Sequence, residues 1–554
     1  MKNILCILLL TGALAAQAQM PANDLLRHIP ADADQVVDVN LGLITSKIDL
    51  PALMNIVSSK AKNNKSIAKI PQFLNSGLDL HQSLIIAGIN TNKPDSIKYQ
   101  VFVFNLTDSG KFAAALRNLA KDGTEPVHIL HPSGKQRVAV RGHDAFAWTD
   151  KLAVLVMGTP AKQAASTQQP VSVLQAKVAR RCAMTLAGYA NTKFITDEHF
   201  ATTFSNGGDV HIWSLHGQWA AMMNKAMSKM PSDKMGQLGA LSQLMNSGKA
   251  QGQSIATLRF DNGSIKYTTL KFMQPNELAA AKLIMGQGLN PEVAGLVPPR
   301  QVLGVATIHW DMQALLDTLK KSPMFPMMDT MLHSKGISAI DVFNTFKGDF
   351  MLLACSPDKT IPDTSTEKKK MPTPTLYLVA SINSKAAFDK IIPVLKLRDV
   401  STLTTEPVIT DSTGHNKNPF QYYSVQNGFV VLGKFSQARE FFTKGSNTDP
   451  AGKLLPDQAN ANVVNLGIDI HALLTNVFAS MINPGGSQDG GNQKLMETLG
   501  QFQTLQIAAG AIRGDAMESK VELRLADQNK NSLTNLIDMI NTLSGKPAGG
   551  APGQ

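Results

Sequence analysis

Repetition is the feature that most constrains this chain. Thr124-Glu125-Pro126-Val127 recurs unchanged as Thr405-Glu406-Pro407-Val408, and looser matches flank it in the same order on both sides. Ile29-Pro30 before Val36-Val37-Asp38-Val39 answers Val297-Pro298 before Val302 to Ile308. Val101 to Leu106, leading into Phe112-Ala113-Ala114, answers Leu376 to Ile382, leading into Phe388-Asp389-Lys390. Ala147-Trp148 and Leu152 to Leu155 turn at Thr149-Asp150-Lys151, as Ser424-Val425 and Phe429 to Leu432 turn at Gln426-Asn427-Gly428. Leu258-Arg259 then answers Ile512-Arg513, and Leu283-Ile284 answers Leu536-Ile537. A constant order with a drifting offset is what an old duplication with loop insertions leaves behind.

Within each copy, period-two and 3.6-residue patterns alternate, which predicts strands followed by helices. Tyr99 to Phe104 reads as a strand, Asp108-Ser109 as a helix cap, and Phe112, Leu116 and Leu119 as one helix face. Ser254 to Phe260 and Ser264 to Phe272 read as a hairpin. In Lys520 to Leu525, the residues Val521, Leu523 and Leu525 are expected inward, with Glu522 and Arg524 outward. The expected fold class is α+β: two tandem related repeats, each a mostly antiparallel sheet with helices packed on one face. The segments Ser356 to Pro374, Pro484 to Gln493 and Gly545 to Gln554 are rich in Gly or Pro and read as linkers.

The 554 residues are 43% hydrophobic and 17% charged, with 3 Cys, which excludes a disordered chain and a disulfide scaffold. Met1-Lys2-Asn3, the apolar run Ile4 to Ala16 and the small-x-small site Ala16-Gln17-Ala18 form a secretion signal, with the mature chain starting at Gln19. No later stretch has the roughly 20 uninterrupted apolar residues of a membrane span. The expected organisation is therefore a signal peptide over 1–18, a linker over 19–27, a basic repeat over 28–290, a neutral repeat over 291–541 and a Gly/Pro tail over 542–554. The expected location is the periplasm or the outer-membrane or extracellular surface. Of the two remaining cysteines, Cys355 follows an apolar run and reads as a buried strand thiol, although an oxidising compartment also permits a bridge to Cys182.

The signal, the entry phrase His28-Ile29-Pro30-Ala31-Asp32-Ala33, the later Leu50-Pro51-Ala52-Leu53 and the doubled body resemble an exported Bacteroidota family, catalogued as domain of unknown function 4836. Many of its members look like lipoproteins. This chain lacks the lipobox cysteine, because Cys6 lies within the apolar run. The resemblance implies an envelope protein and supplies no site residues.

Motifs that carry chemistry are missing. The 12 histidines are scattered, and no H-E-x-x-H, paired C-x-x-C, G-x-S-x-G or phosphate loop occurs. His128 and His131, and His211 and His216, read as surface or capping residues, and Asp32, Asp34 and Asp38 as turn or solvent-face residues. Three S-x-x-K spacings, at Ser59/Lys62, Ser66/Lys69 and Ser365/Lys368, fall in Lys-rich segments without accompanying elements. No catalytic residue, metal ligand or cofactor is assigned. Methionines crowd two helical stretches, and Met222, Met223, Met227, Met324, Met328 and Met331 are the candidates for an apolar groove, with core packing as the plainer reading.

Charge is the informative remainder. Residues 19–290 hold 28 Lys and Arg against 18 Asp and Glu, a net +10, whereas residues 291–554 hold 24 of each. Lys60, Lys62, Lys65 and Lys69 form one cluster, Lys135, Arg137 and Arg141 a second, and Lys177, Arg180 and Arg181 a third. Such fields attract an acidic polysaccharide, lipid headgroup or protein. No aromatic residues interleave with these bases, so nucleic acid is not an expected partner. The leading expectation is a non-enzymatic envelope protein that binds an acidic component through its basic half. The alternatives are an envelope-polymer hydrolase with a site between the repeats and a carrier of an apolar ligand in a Met-lined groove.

Overall fold

The structure, a computed structural model, describes residues 23–48, 76–89, 97–121, 128–130, 136–160, 171–190, 194, 197, 199–200, 207–215, 252–285, 288–322, 324–357, 373–405, 419–443, 447–478 and 497–543. The Thr124 to Val127 copy of the recurring tetrapeptide and the cluster Lys60 to Lys69 lie outside these residues, as do most residues of the three linker segments. The chain forms two compact units, Met1–Asn262 with Lys530–Gln554, and Gly263–Asn529. The sequence boundary expected at 290/291 falls inside the second of these.

The first unit begins with helix α1 (Asn23–Leu26), strand β1 (Gln35–Asn40) and α2 (Leu41–Ser46). It continues through β2 (Ser83–Ile89), β3 (Ile97–Asn105), α3 (Ser109–Lys121), β4 (His128–Leu130), β5 (Arg137–Arg141), β6 (Asp144–Trp148) and β7 (Leu152–Pro160). Helix α4 (Val171–Ala187), β8 (Val210–Ser214) and β9 (Ser254–Asp261) follow. The strands pair in the order β4-β5-β6-β7-β3-β2-β1-β8-β9, every pair antiparallel.

Helix α3 starts where expected, with the Asp108 carboxylate accepting from Lys111 N–H at 2.9 Å. Its Phe112 is buried edge-on against Phe104 and Trp148, each with centroids 5.8 Å away. On α4, Leu174, Val178, Cys182 and Leu186 recur every four residues and are all buried, so this long helix presents one continuous apolar stripe. It lies on the sheet face built by Val138, Val140, Ala145, Ala147, Val154 and Val156: Val178 sits against Gly158, which shares that face, and Cys182 Sγ reaches the carbonyls of Ala145 and Val154 at 3.3 Å. The entry phrase docks on the end of the same helix. His28 Nδ1 bonds to the Thr185 carbonyl at 2.8 Å, and Arg181 holds the Asp32 carboxylate with two bonds of 2.8 Å.

The second unit holds β10 (Ser264–Phe272), α5 (Pro275–Met285), α6 (Pro291–Ala294), β11 (Val302–His309), α7 (Met312–Lys320), α8 (Met324–His333), α9 (Ala339–Thr345) and β12 (Phe346–Cys355). It continues through β13 (Thr375–Ile382), α10 (Lys385–Leu395), β14 (Arg398–Asp399), β15 (Tyr422–Gln426), β16 (Phe429–Gly433), α11 (Phe435–Glu440), β17 (Val464–Asp469), α12 (Ile470–Leu473), β18 (Phe502–Arg513) and β19 (Ala516–Leu525). The order is β14-β15-β16-β13-β12-β11-β17-β18-β19-β10, antiparallel except at the two-residue β14–β15 pairing. The β15–β16 hairpin turns at Asn427-Gly428, both at positive φ as a tight two-residue turn demands. Past β19 the chain returns to the first unit with α13 (Ser532–Leu543), which buries Leu533 and Met539 and anchors through Thr534 Oγ1 to the Lys47 carbonyl at 2.8 Å. Each half's closing helix, α5 or α13, thus belongs to the unit that the other half builds.

The protein is a mixed fold of antiparallel sheet and helices, and the expectation of helices on one face only is corrected in both units: in the first, Phe112 of α3 packs on Phe104 and Trp148, which lie on the sheet face opposite the one under α4. Tyr377 and Val379 of β13 point into a core with Val293, Phe429, Phe441 and Leu455, while Ala380 and Ile382 point into another with Phe388, Ile391 and Val430. Neighbouring residues in a strand face opposite ways, so both faces are covered. The alternation expected in Lys520 to Leu525 is also corrected. Val521 to Arg524 are all half-buried and only Leu525 is fully buried. Among the described residues no helix is long and apolar enough to cross a membrane.

Candidate functional site

The most chemically distinctive group in the second unit spans three adjacent strands. His309 ends β11 and faces Asp349 of β12, and Ser381 lies alongside on β13. His309 Nδ1 is 2.7 Å from Asp349 Oδ1, and Ser381 Oγ donates to Asp349 Oδ2 at 2.9 Å. The backbone N–H of Asn290 adds a bond of 3.1 Å to Oδ1. All three side chains are buried. Burial works against the Asp349 charge, yet the hydrogen bonds from His309, Asn290 and Ser381 outweigh it and hold the carboxyl below its ordinary range. A carboxylate accepts, so Nδ1 carries a proton, and Nε2 is buried with no hydrogen-bond partner. The carboxylate stands between the hydroxyl and the imidazole. No imidazole therefore activates a nucleophile here, and the arrangement ties three strands together.

The first unit carries a comparable pair. Asp38 of β1 faces His211 of β8, Nδ1 to Oδ2 at 3.1 Å, with the residues 3% and 2% exposed. The reading of Asp38 as solvent-facing and of His211 as a surface or capping residue is thereby corrected. Beside them the buried Asp209 accepts from Lys47 Nζ at 2.6 and 2.7 Å and from Phe260 N–H at 2.6 Å, tying the end of α2 to β8 and β9. In the second unit, Glu440 Oε1 gathers Arg300 Nη2 at 2.9 Å, Arg300 Nε at 3.2 Å and the Tyr377 hydroxyl at 3.2 Å. Cys355 is buried next to this group, and burial pushes its thiol up to about 12. Cys182 is raised by burial as well, and both cysteines are free, so they are not bridged to each other. Among the described residues no group of three or more His, Cys, Asp or Glu is placed to hold a metal ion.

The basic candidates separate. Lys60, Lys62, Lys65, Lys69 and Lys135 lie outside the described residues. Arg137, exposed, and Arg141, half-buried, alternate with Val138 and Val140, so they occupy the sheet face opposite the one under α4. Lys177 and Arg180 are exposed on α4 itself, while Arg181 is turned back to Asp32 and lies over the Tyr99 ring at 5.0 Å. Adjacent sequence clusters therefore form two surfaces. Of the methionines, Met222, Met223 and Met227 lie outside the described residues, as does the side chain of Met324. Met328 is half-buried and Met331 is 59% exposed, one turn beyond Met327 at 72%, so α8 turns these two thioethers toward solvent.

No family model and no curated protein matches the chain. Among solved structures it is similar to three crystal forms of TP0453, at 10%, 9% and 12% identity. These matches cover 47%, 49% and 47% of this chain and 84%, 89% and 80% of the other, with TM-scores of 0.25, 0.26 and 0.26.

Proposed function

We propose that this is an exported cell-envelope protein that acts by binding, and that its first unit contacts an acidic envelope partner. The observation that carries this reading is the placement of charge. From residue 19 on, the first unit holds 27 Lys and Arg against 18 Asp and Glu, a net +9, and the second holds 25 against 24, a net +1. The asymmetry survives the exchange of the closing helices, so it follows the compact unit as well as the sequence half. An uneven charge of this size steers an oppositely charged partner to one unit.

The reading includes two repeats of one ancestral fold. Its support is the shared run of pairings, β7-β3-β2-β1-β8-β9 beside β16-β13-β12-β11-β17-β18. The same register step carries a buried polar pair in both, Asp38–His211 in the first and Thr307–Asn465 in the second, where Asn465 Nδ2 donates to Thr307 Oγ1 at 3.2 Å. Two residues further on, Asn40 N–H donates to Asp209 O and His309 N–H to Val463 O, at 2.9 and 2.8 Å. The resemblance to the exported Bacteroidota family is consistent with such a body.

In-cell crosslinking of the exported chain tests the binding role. The expected products join residues of the first unit to an acidic envelope component. Products that form only through the second unit, or that survive unchanged at high salt, contradict it.

A further inference from the structure

We propose that the second unit holds a binding site for a long-chain fatty acid, between the open face of its sheet and helices α5, α7 and α9. The site uses no residue of the first unit and does not depend on the acidic-partner reading.

The sheet of this unit reverses the usual placement of polar and apolar side chains. On β11, β12, β17 and β18 one face is buried, and it carries the polar His309, Asp349, Asn465 and Gln506. The residues that alternate with them, such as Ile308, Leu352, Leu466 and Ile507, are apolar, and none of these four is buried. Strand register sets six open residues in one row across adjacent strands: Leu352, Ala306, Leu466, Ile507, Val521 and Tyr267. At about 4.8 Å per strand the row runs about 24 Å. Its ends, Leu352 and Tyr267, are 42% and 37% exposed, and the Tyr267 hydroxyl is its one polar side-chain group. Ile468, Leu505, Leu523 and Ile265, all half-buried, lie side by side in the next row. An open apolar field of this extent marks a ligand groove or an interface.

Helices roof this face without closing on it. Val342 of α9 and Phe350 pack against the same core, α7 lies against α9 and β12, and α5 lies against α7 and β18. No residue of α5 is buried, and on α7 only Leu316 is. Protein interiors are close-packed, so a floor and a roof that are both apolar and both partly open leave a slot between them. Side chains already half covered leave no room for a polypeptide helix, about 10 Å across, whereas a single methylene chain fits. One charge then marks the head of the ligand. On β10 the open face continues past Tyr267 and Thr269 to Lys271, which is half-buried and has no ion pair among the described residues. A carboxylate at the end of an alkyl chain matches this ammonium, and a neutral lipid or an apolar protein segment leaves it unmatched.

The test is fluorescence binding of cis-parinaric acid to the chain from residue 19 on, with displacement by palmitate and by the uncharged hexadecanol. Saturable binding is expected, with palmitate displacing the probe better than hexadecanol does. Lys271→Met should weaken palmitate several-fold and leave hexadecanol unchanged. Leu352→Asp with Val464→Asp, both exposed on the floor, should weaken both ligands by at least about tenfold. An unchanged thermal transition checks that each variant folds, and light scattering follows its oligomeric state. Absence of probe binding to wild type overturns the site, as does wild-type palmitate affinity in either variant. If the double variant instead turns an oligomer into monomers and leaves palmitate affinity unchanged, the face is an interface between copies and the fatty-acid assignment is wrong.

Discussion

His309 Nδ1 and Asp349 Oδ1 stand 2.7 Å apart across the β11–β12 pairing, both side chains buried, with Ser381 and the Asn290 N–H closing the remaining bonds to the carboxylate. Asp349→Ala strands three donors in the interior and should cost about 3–5 kcal/mol in urea denaturation. The folded Asp349 carboxyl is held below its unfolded value of about 3.9. Its stabilisation is therefore complete above that value and is lost as pH falls through the lower folded value. The gap in urea midpoint between wild type and Asp349→Asn should be constant from neutral pH to about pH 5 and narrow below about pH 4. A gap that widened on acidification would contradict the assignment.

Asp209 offers a second test in the other unit. Asp209→Ala leaves Lys47 and the Phe260 N–H without their buried acceptor and should destabilise by about 3 kcal/mol or more. Lys47→Met should cost as much or more, because it leaves the Asp209 carboxylate, 1% exposed, without its counter-charge, whereas Lys47, 23% exposed, is partly solvated when Asp209 is removed. A markedly smaller loss in Lys47→Met would show that the carboxylate's role as acceptor for the Phe260 N–H, and not the ion pair, carries the stabilisation.

Cys182 and Cys355 are buried thiols raised by desolvation. Neither should react with a thiol reagent at pH 8 in the folded protein, since the thiolate is the reactive form, and both should react after denaturation. Reaction of either residue at the rate of a free thiol in the native state would refute the burial.

Gly348 has φ of +115°, and a Cβ built there would come 1.8 Å from the Trp310 carbonyl oxygen. Gly348→Ala should destabilise by more than about 1 kcal/mol, measured by thermal or urea unfolding. A neutral substitution would mean that the β11–α7 junction can move away.

The alternation of patterns, the Asp108 cap and the Asn427-Gly428 turn were legible in the sequence because each depends on neighbours a few residues away. Phe112 and Phe388, matched across the two halves, are both 1% exposed at the starts of α3 and α10. The buried polar pairs were not read, because Asp and His default to the surface and their partners lie on other strands, Asp38 and His211 being 173 residues apart. A count of strand parity would have found one of them: His309 shares the inward positions of Leu303, Val305 and Thr307. The same parity splits the basic clusters, since residues close in sequence but on a strand and a helix reach opposite faces. The return of α13 to the first unit has no local signal, for a helix's own pattern says which side is apolar and not what covers it.

The central claim is that the charge of the first unit does the binding. Its most direct measurement is the affinity of the chain from residue 19 on for isolated envelope fragments as salt is raised, for wild type and for a variant with Arg137, Arg141, Lys177 and Arg180 changed to Gln. The account predicts that wild-type binding falls steeply as the Debye length shrinks from about 10 Å to about 3 Å, and that the variant binds more weakly with a shallower dependence. Binding that is indifferent to salt, or that the variant retains in full, would contradict it.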